Sequence, residues 1–292
     1  MDYEIVNEKI QIDDKRKITI KLINDHFENA KRYQIPHAQL IIADIPYNLG
    51  NNAYASNPMW YVDGDNKNGE SKLAGTSFFD TDNDFKINNF FDFCTRYMNK
   101  EPKQAGKRGK SSDAPAMIVF CSFEQIPMVV NEGKKHGLKH SYPLVFIKNY
   151  SSQVLKANMK VVGATEYAVV LYREKLPKFR NIDKNGNNRM IFNWFEWRRD
   201  NSKQYPKIHP TQKPVNLLKQ LIEIFTDEGD VVIDPCCGSA STLRASAELK
   251  RSCYGFEIKK DFCKEAKEKM LNKINEKIDE QLSIFDIGVK WN

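Results

Sequence analysis

The apolar residues of this chain fall into short runs separated by longer stretches of mixed character. The run Leu40-Ile41-Ile42-Ala43 is apolar on both faces, as in a strand buried in a parallel sheet, and residues 117–122 show the same pattern. Lys17–Ile23 alternates and also predicts a strand. Further strands are expected at residues 142–147, 167–172, 231–233 and 252–258, and helices at 27–33, 85–98, 123–136, 214–225, 241–249 and 260–280. This order of elements predicts an α/β fold with a doubly wound, mostly parallel sheet.

Two long segments interrupt the alternation of strands and helices. The first, residues 48–113, begins with a loop rich in Asn, Asp and Gly and ends with a basic stretch that carries Lys107 and Arg108. Loops of this length are usually functional or disordered. The basic stretch is either a mobile surface loop or a loop that contacts phosphate. We therefore treat residues 48–113 as a loop and helix region that is expected to contact a phosphate-bearing partner.

The second segment, residues 174–207, is both basic and aromatic, with nine Lys or Arg residues against four Asp or Glu residues. Basic side chains attract phosphate, and aromatic rings offer flat surfaces for stacking. One interpretation is a small satellite core with a solvated basic rim. We favour an insertion that contacts nucleic acid, because residues 183–188 resemble an exposed loop tip. The candidate nucleic-acid-binding residues of the two segments are Lys107, Arg108, Arg180, Arg189, Trp194, Trp197, Arg198 and Arg199.

Length and composition narrow the classes of protein that fit. With 292 residues, the chain can form one large α/β domain with an insertion or two small domains, and we expect a single catalytic domain over residues 1–292. The net charge of +7 favours a polyanionic partner. The chain does not open with a signal peptide, and no run approaches the roughly 18 apolar residues of a membrane span, so we expect a cytoplasmic protein. The six cysteines lack the spacing of a zinc site, and no metal is predicted.

A strand, a tight turn and the start of a helix follow one another in Val231-Val232-Ile233-Asp234-Pro235-Cys236-Cys237-Gly238-Ser239-Ala240-Ser241-Thr242. Gly238 lets the backbone approach a ligand, and a helix N-terminus offers free N–H groups. Glu257 follows about twenty residues later at the end of the next strand, where an acid commonly holds ribose hydroxyls. The turn lacks the G-x-G-x-x-G of a dinucleotide site and the G-K-[ST] of a P-loop. The pocket therefore suits a nucleoside that ends in an amino acid.

An acid, a rigid turn and an aromatic residue follow the buried strand at Leu40, in the order Asp44-Ile45-Pro46-Tyr47. Such a group at the end of a strand can hold the amino group of a flat heterocycle. The two sites together predict an enzyme that transfers a group to the amine of a base.

These motifs closely resemble the amino-group DNA methyltransferases that use S-adenosylmethionine. The resemblance rests on Asp44-Ile45-Pro46-Tyr47, His209-Pro210-Thr211-Gln212-Lys213-Pro214, the turn at Gly238-Ser239 and Gly255-Phe256-Glu257-Ile258. The catalytic element precedes the cofactor element, which matches the permuted β group of the family. The resemblance implies a Rossmann-like methyltransferase fold in which residues 174–207 recognise the target. Ile45 replaces the usual first proline, and Ala240 replaces a common second glycine; neither change removes a reacting group.

The resemblance also implies a role for each site residue. Asp44, Ile45, Pro46 and Tyr47 form the catalytic element, in which Asp44 and the Ile45 carbonyl accept the amine hydrogens and Tyr47 stacks on the base. Glu257 holds the ribose, and Asp25 falls where the family contacts adenine. The other expected cofactor-binding residues are His209, Thr211, Lys213, Asp234, Cys236, Gly238 and Ser239, of which Thr211 and Lys213 close over the methionine carboxylate. Thr211 could instead be a helix cap, and Lys213 could instead be a surface charge.

The expected reaction is methyl transfer from S-adenosylmethionine to the N6 amine of an adenine flipped out of double-stranded DNA. Asp at position 44 is commoner in adenine-specific members, but N4 of cytosine stays open. Two further functions fit the same sequence: a non-catalytic nucleic-acid-binding module, and a methyltransferase that acts on RNA or protein. A cytoplasmic, nucleoid-associated enzyme of a bacterium or phage is expected, with or without a restriction partner and as a monomer or homodimer.

The C-terminal peptide Gln281-Leu282-Ser283-Ile284-Phe285 resembles the peptide with which bacterial DNA enzymes bind the replication sliding clamp. A tail that folds back on the core would account for the same residues.

Overall fold

The computed structural model describes residues 3–13, 16–46, 85–103, 113–149, 153–156, 161–182, 185–187, 189–209, 211–272 and 274. Within these residues, nine strands form one sheet and two short strands form a separate hairpin. The sheet strands are β1 (Glu4–Gln11), β2 (Lys17–Ile23), β3 (Leu40–Asp44), β4 (Ala116–Cys121), β5 (His140–Lys148), β8 (Thr165–Tyr172), β9 (Trp194–Trp197), β10 (Val231–Asp234) and β11 (Ser252–Phe256), and the hairpin strands are β6 (Gln153–Lys156) and β7 (Val161–Gly163).

The centre of the sheet is parallel, as the sequence predicts. The strand order is β1-β2-β11-β10-β3-β4-β8-β5-β9, and the five strands from β2 to β4 run in the same direction. All six residues of β4 are buried, because a strand with helices on both faces has no solvent-exposed side. The predicted α/β, doubly wound fold is therefore confirmed.

Helices cover both faces of the sheet and define two cores. One core includes Phe27, Phe90 and Val129, and the other includes Leu218, Leu243 and Met270. The helices of the first face are a 3-10 helix (Phe27–Tyr33), α1 (Ile87–Tyr97) and α2 (Ile126–Lys135), and those of the second are α3 (Val215–Phe225), α4 (Ser241–Glu248), α5 (Lys260–Glu265) and a π-helical turn (Ala266–Leu271). Within the described residues, no helix has the length and apolar character that crossing a membrane requires.

Three features differ from the sequence expectation. Glu4–Gln11 forms an unpredicted antiparallel edge strand beside β2. Strand β8 is antiparallel to both of its neighbours, so this side of the sheet is mixed. The last helix, expected over residues 260–280, changes from α to π at Ala266, and residues 275–280 lie outside the described residues.

Part of residues 174–207 belongs to the main sheet, and the target-recognition role of this segment stays a prediction. Strand β9 pairs with β5 at the edge of the main sheet, and Tyr205 is buried and donates a hydrogen bond to Glu248 of α4 at 2.7 Å. Trp197 and Tyr205 lie in the same core as Leu218 and Leu243, so these two rings do not form a separate satellite core. Some aromatic side chains of the segment are buried in the core, and others are exposed at the surface.

Candidate active site

Acidic side chains meet at the edge where the parallel strands end. Asp44 ends β3 and Asp234 ends β10, and these two strands are neighbours in the sheet. Asp25 follows β2, and Glu257 follows β11. Since the carboxyl ends of parallel strands lie at one edge, residues far apart in sequence line one crevice. The structure thus brings together the predicted catalytic and cofactor elements.

Asp234 is the most strongly perturbed acid of the crevice. Burial, and after it the carboxylates of Asp44 and Glu257, raise its pKa to about 7 against the opposing effect of hydrogen bonds from Thr242 and the Cys236 N–H. The Cys236 N–H donates to Asp234 Oδ1 at 3.0 Å. A carboxyl group that titrates near neutral pH indicates a crevice in which negative charge is crowded and shielded from water.

Glu257 is held against the glycine turn by two backbone groups. The Gly238 N–H donates to one carboxylate oxygen at 2.9 Å, and the Lys259 N–H donates to the other at 2.7 Å. Burial raises the pKa of Glu257 in spite of these bonds. Gly238 has φ +47°, a conformation that suits glycine. The acid and the turn therefore form one structural unit at the mouth of the crevice.

The start of α4 continues this turn. Ala240 is the N-cap and adopts φ +59°, in the left-handed region that favours glycine. The Ser239 and Ser241 hydroxyls lie 2.8 Å apart and are buried. Gly255 of β11 lies so close that an added Cβ would sit 2.6 Å from Leu243 Cδ1. The first turn of α4 consequently packs directly on the strand that precedes Glu257.

His209 covers the glycine turn from the opposite side. A Cβ at Gly238 would lie 3.5 Å from the imidazole, and the ring of Phe262 lies 4.6 Å from that of His209. Thr211 contacts His209 Nδ1 through its N–H at 3.3 Å and its hydroxyl at 3.1 Å. Burial and then the charge of Lys213 lower the pKa of His209 to about 4. A neutral imidazole thus closes this side of the crevice.

Lys213 is directed at Asp44, the predicted catalytic acid. Its Nζ lies 2.5 Å from Asp44 Oδ2 and 3.5 Å from Glu166 Oε2, and its side chain is 7% exposed. The interpretation of Lys213 as a surface charge is therefore wrong. The ammonium faces the Asp44 carboxylate, whereas the resemblance places Lys213 in the element over the methionine carboxylate.

The residues after Asp44 are fixed to β4 and to the start of α2. The Ile45 N–H donates to the Phe120 carbonyl at 3.2 Å, and the Ile45 side chain is buried. Gln125 Nε2 donates to the Pro46 carbonyl at 2.8 Å, while its Oε1 accepts from the Ser122 N–H at 3.0 Å. Tyr47 lies outside the described residues. Gln125 thus holds the turn that is predicted to be catalytic, although only its place in a capping pattern marks it in the sequence.

Asp25 is already engaged by its own helix. Its carboxylate accepts from the His26 N–H at 2.8 Å, from Asn29 Nδ2 at 2.8 Å and from the Tyr33 hydroxyl at 2.5 Å. Burial alone would raise the pKa of Asp25, but these hydrogen bonds and nearby Arg32 lower it. The carboxylate thus stabilises the 3-10 helix, and the adenine contact stays a prediction.

The candidate nucleic-acid-binding residues separate into two groups. Trp194 is 48% exposed and stacks with Phe192 at 6.1 Å and 19°, and Arg189, Arg198 and Arg199 are exposed in the same segment. Trp197 is 4% exposed and packs on Phe146, so the expectation that it stacks on nucleic acid is corrected.

Arg180 belongs to the group that stabilises the fold. It forms ion pairs with Asp227 at 2.7 Å and with Asp113 at 2.9 Å, so its guanidinium is not directed at a ligand. Lys107 and Arg108 lie outside the described residues, as does the peptide at residues 281–285. Contacts with DNA, a sliding clamp or a second copy therefore stay predictions. Within the described residues, no group of three His, Cys, Asp or Glu side chains could hold a metal ion.

Comparison with known proteins agrees with this architecture. DNA adenine methyltransferase YhdJ of Escherichia coli strain K12 is 30% identical over 137 residues, which cover 46% of this chain and 45% of that protein. The crystal structure of the M1.HpyAVI–SAM complex has a TM-score of 0.57 at 19% identity and covers 85% of this chain and 98% of that chain. The cytosine-N4-specific PvuII DNA methyltransferase has a TM-score of 0.56 at 13% identity, over 88% of this chain and 92% of that chain. At these identities, the structural likenesses establish the fold alone.

The extent of the sequence matches decides the family. The chain spans 16% to 56% of the length of four curated relatives, YhdJ among them. The profile of the DNA methylase family for N6 and N4 amino groups matches residues 38–268, which is well over half of the chain. This chain therefore belongs to the N6/N4 amino-group DNA methylase family.

Proposed function

We propose that this chain is a site-specific DNA methyltransferase that transfers a methyl group from S-adenosylmethionine to the N6 amine of a flipped-out adenine. The observation that carries the proposal is the position of Asp44, paired with Lys213, beside Asp234 and Glu257 in one crevice. An acceptor for an amine hydrogen and a nucleoside-binding turn then face the same space.

The carboxylates that line the crevice suit S-adenosylmethionine. Glu257 can accept both ribose hydroxyls once its carboxylate exchanges the Gly238 N–H for them. Asp234 is buried at the end of β10, where an acid favours the positive charge of the cofactor. The cofactor supplies an electrophilic methyl group on a sulfonium, and no metal is required.

Asp44 and the Ile45 carbonyl would orient the amine for attack. Its lone pair is delocalised into the ring, and two accepted N–H bonds pull the nitrogen toward tetrahedral geometry. A hydrogen bond to a charged acceptor contributes roughly 1.5–3 kcal/mol. Alignment of two reactants contributes up to roughly 7–11 kcal/mol. Positioning is thus the larger effect, and the ammonium beside Asp44 keeps this carboxylate an acceptor of hydrogen bonds more than a base.

The target base must leave the duplex, at a cost of a few kcal/mol. Tyr47 would stack on the flipped ring, and such stacking offsets roughly 1–3 kcal/mol. The stacked pair Phe192–Trp194, with Arg189, Arg198 and Arg199, offers an exposed basic and aromatic surface for the flanking DNA.

N4 of cytosine is the second candidate target. The cytosine-N4-specific PvuII enzyme has a similar fold, so the fold accommodates this target, whereas the similarity to the adenine methyltransferase YhdJ and the acid at position 44 favour adenine. Both amines are exocyclic and conjugated, so Asp44 would act in the same way on either.

The proposal is tested by long-read sequencing of DNA from a host without other methyltransferases that expresses the chain. We expect N6-methyladenine in one sequence context, and no mark with Asp44→Ala. Asp13→Ala is the matched control, because Asp13 is an exposed acid in the β1–β2 turn, at the opposite edge of the sheet. A mark of N4-methylcytosine would support the second candidate instead, and an undiminished mark with Asp44→Ala would refute the role of this acid.

A further inference from the structure

Asp44 belongs to a cluster of four charged side chains. Lys213 contacts both Asp44 and Glu166, and Lys148 contacts the other oxygen of Glu166. The side chains of Glu166 and Lys148 are 19% and 14% exposed. The cluster has two negative and two positive charges, so it is neutral as a whole, and its lysines lie close to the ring of Trp197.

The mixed topology of the sheet explains how Glu166 reaches this position. Strand β8 is antiparallel to β4, so its first residues lie at the edge where the parallel strands end. Tyr167 pairs with Cys121, and Phe120 pairs with Asp44, which places Glu166 near the end of β3. The Lys213 ammonium therefore bridges Asp44 and Glu166, although their strands are two positions apart in the sheet.

We propose that Glu166 is a positioning residue for methyl transfer, which rests on the proposed function of the crevice. It shares the Lys213 ammonium with Asp44. The Asp44 carboxylate is therefore only partly neutralised by this cation and can accept a hydrogen bond from the amine. Without Glu166, the Lys213 ammonium, which already lies 2.5 Å from Asp44 Oδ2, pairs with Asp44 alone and competes with the amine hydrogen for the carboxylate.

The charged and titratable groups around Lys213 set the sign of the pH effect. Burial opposes its charge, but Asp44 and Glu166 raise the pKa of Lys213 above its ordinary value. Burial and then the charge of Lys213 lower the pKa of His209, so the imidazole beside it is neutral. Burial would raise the pKa of Glu166, but Lys213 and then Lys148 lower it. Removal of Glu166 takes away one of the two carboxylates that keep Lys213 protonated. The pKa of Lys213 must then fall.

Glu166→Gln is the principal test, with Glu174→Gln as the control. Glu174 follows the other end of β8, is exposed, and pairs with Lys139 instead of Lys213. For Glu166→Gln we expect kcat to fall roughly 10- to 100-fold, since misplacement of a reacting group by about 1 Å can cost 100-fold. The KM for S-adenosylmethionine should stay near the wild-type value. The alkaline limb of the pH–rate profile should move to lower pH, because Lys213 then loses its proton more readily.

A second variant separates positioning from folding. Glu166→Gln leaves the two lysines with one carboxylate, and Glu166→Gln/Lys148→Met restores a neutral cluster. The double variant should fold and bind S-adenosylmethionine as the wild type does. Its kcat should stay low, and the alkaline limb of its pH–rate profile should stay at lower pH, as in Glu166→Gln. Wild-type kcat and pH profile in the double variant would overturn the proposal.

A readout without catalysis completes the design. NMR titration of protein labelled with ¹³C at lysine Cε, with the Lys213 signal identified by its loss in Lys213→Arg, reports the pKa of Lys213 directly. The pKa should be lower in Glu166→Gln than in wild type, and an unchanged value would overturn the proposal. If the wild type methylates no nucleic acid, the proposed function fails while this titration still decides the role of Glu166.

Discussion

Gly255→Ala should destabilise the protein through a collision at the cofactor turn. The new Cβ would lie 2.6 Å from Leu243 Cδ1, 3.0 Å from Cys237 Sγ and 3.1 Å from Cys237 Cβ. Both neighbours are buried, so neither can move into solvent. Overpacking of a well-packed core costs about 1–3 kcal/mol, and contacts on two sides put this case in the upper part of that range. Each kcal/mol lowers Tm by about 2–4 °C in a domain somewhat smaller than this one.

The assay pairs thermal unfolding with calorimetric titration of S-adenosylmethionine. Affinity should weaken together with Tm, because the displaced residues form the turn that carries Gly238. Leu243→Ala alone should cost about 2–5 kcal/mol by leaving a cavity. The double variant should lose less than the sum of the two, since the smaller side chain makes room for the methyl group. The packing argument would be refuted if Gly255→Ala had the Tm and affinity of the wild type. Strict additivity of the Gly255→Ala and Leu243→Ala effects in the double variant would refute it as well.

Other predictions concern the acid at β10 and the predicted DNA surface. Asp234 has a folded pKa of about 7 against an ordinary value of 3.8, so its contribution to stability declines as pH rises from about 4 to 7; Asp234→Asn should remove this decline in denaturant titrations at about pH 5 and pH 8. Trp194→Ala should weaken DNA binding at unchanged Tm, whereas Trp197→Ala should lower stability by about 3–5 kcal/mol; equal effects on Tm would contradict their opposite burial. Arg198→Ala should reduce the slope of log K against log salt by about 1. Arg180→Ala should leave this slope unchanged and lower Tm. A smaller slope at unchanged Tm would show instead that Arg180 contacts DNA.

The repeated strands and helices could be predicted because buried parallel strands are continuously apolar. Leu40–Asp44 and Ala116–Cys121 are such runs, and each is a central strand of the sheet. The glycine turn and the strand-end acid were also predictable, since their spacing reflects one strand–turn–helix–strand unit. The structure places Gly238 and Glu257 in direct hydrogen-bond contact.

The partners of Asp44 could not be predicted, because they depend on strand direction. Glu166 lies in the segment before a predicted strand, and nothing in its local pattern distinguishes it from a solvated acid. Only the antiparallel pairing of β8 brings it to the active edge. The resemblance assigns Lys213 to the cofactor, whereas its ammonium turns toward Asp44 over the ring of Phe120.

The aromatic residues of β9 show a second limit. Trp194 and Trp197 stand in the same basic and aromatic segment, and composition assigns both to the surface. Strand geometry separates them, since side chains three positions apart point to opposite faces. One ring is exposed and the other lies in the core.

Segment 174–207 is consequently not an interchangeable cassette. Trp194 is exposed, but Trp197 packs against Lys148 and Lys213 beside Asp44, and the Tyr205 hydroxyl donates to Glu248 of α4. A segment grafted from another protein would therefore have to retain Trp197 and Tyr205 to keep the packing around Lys213 and α4.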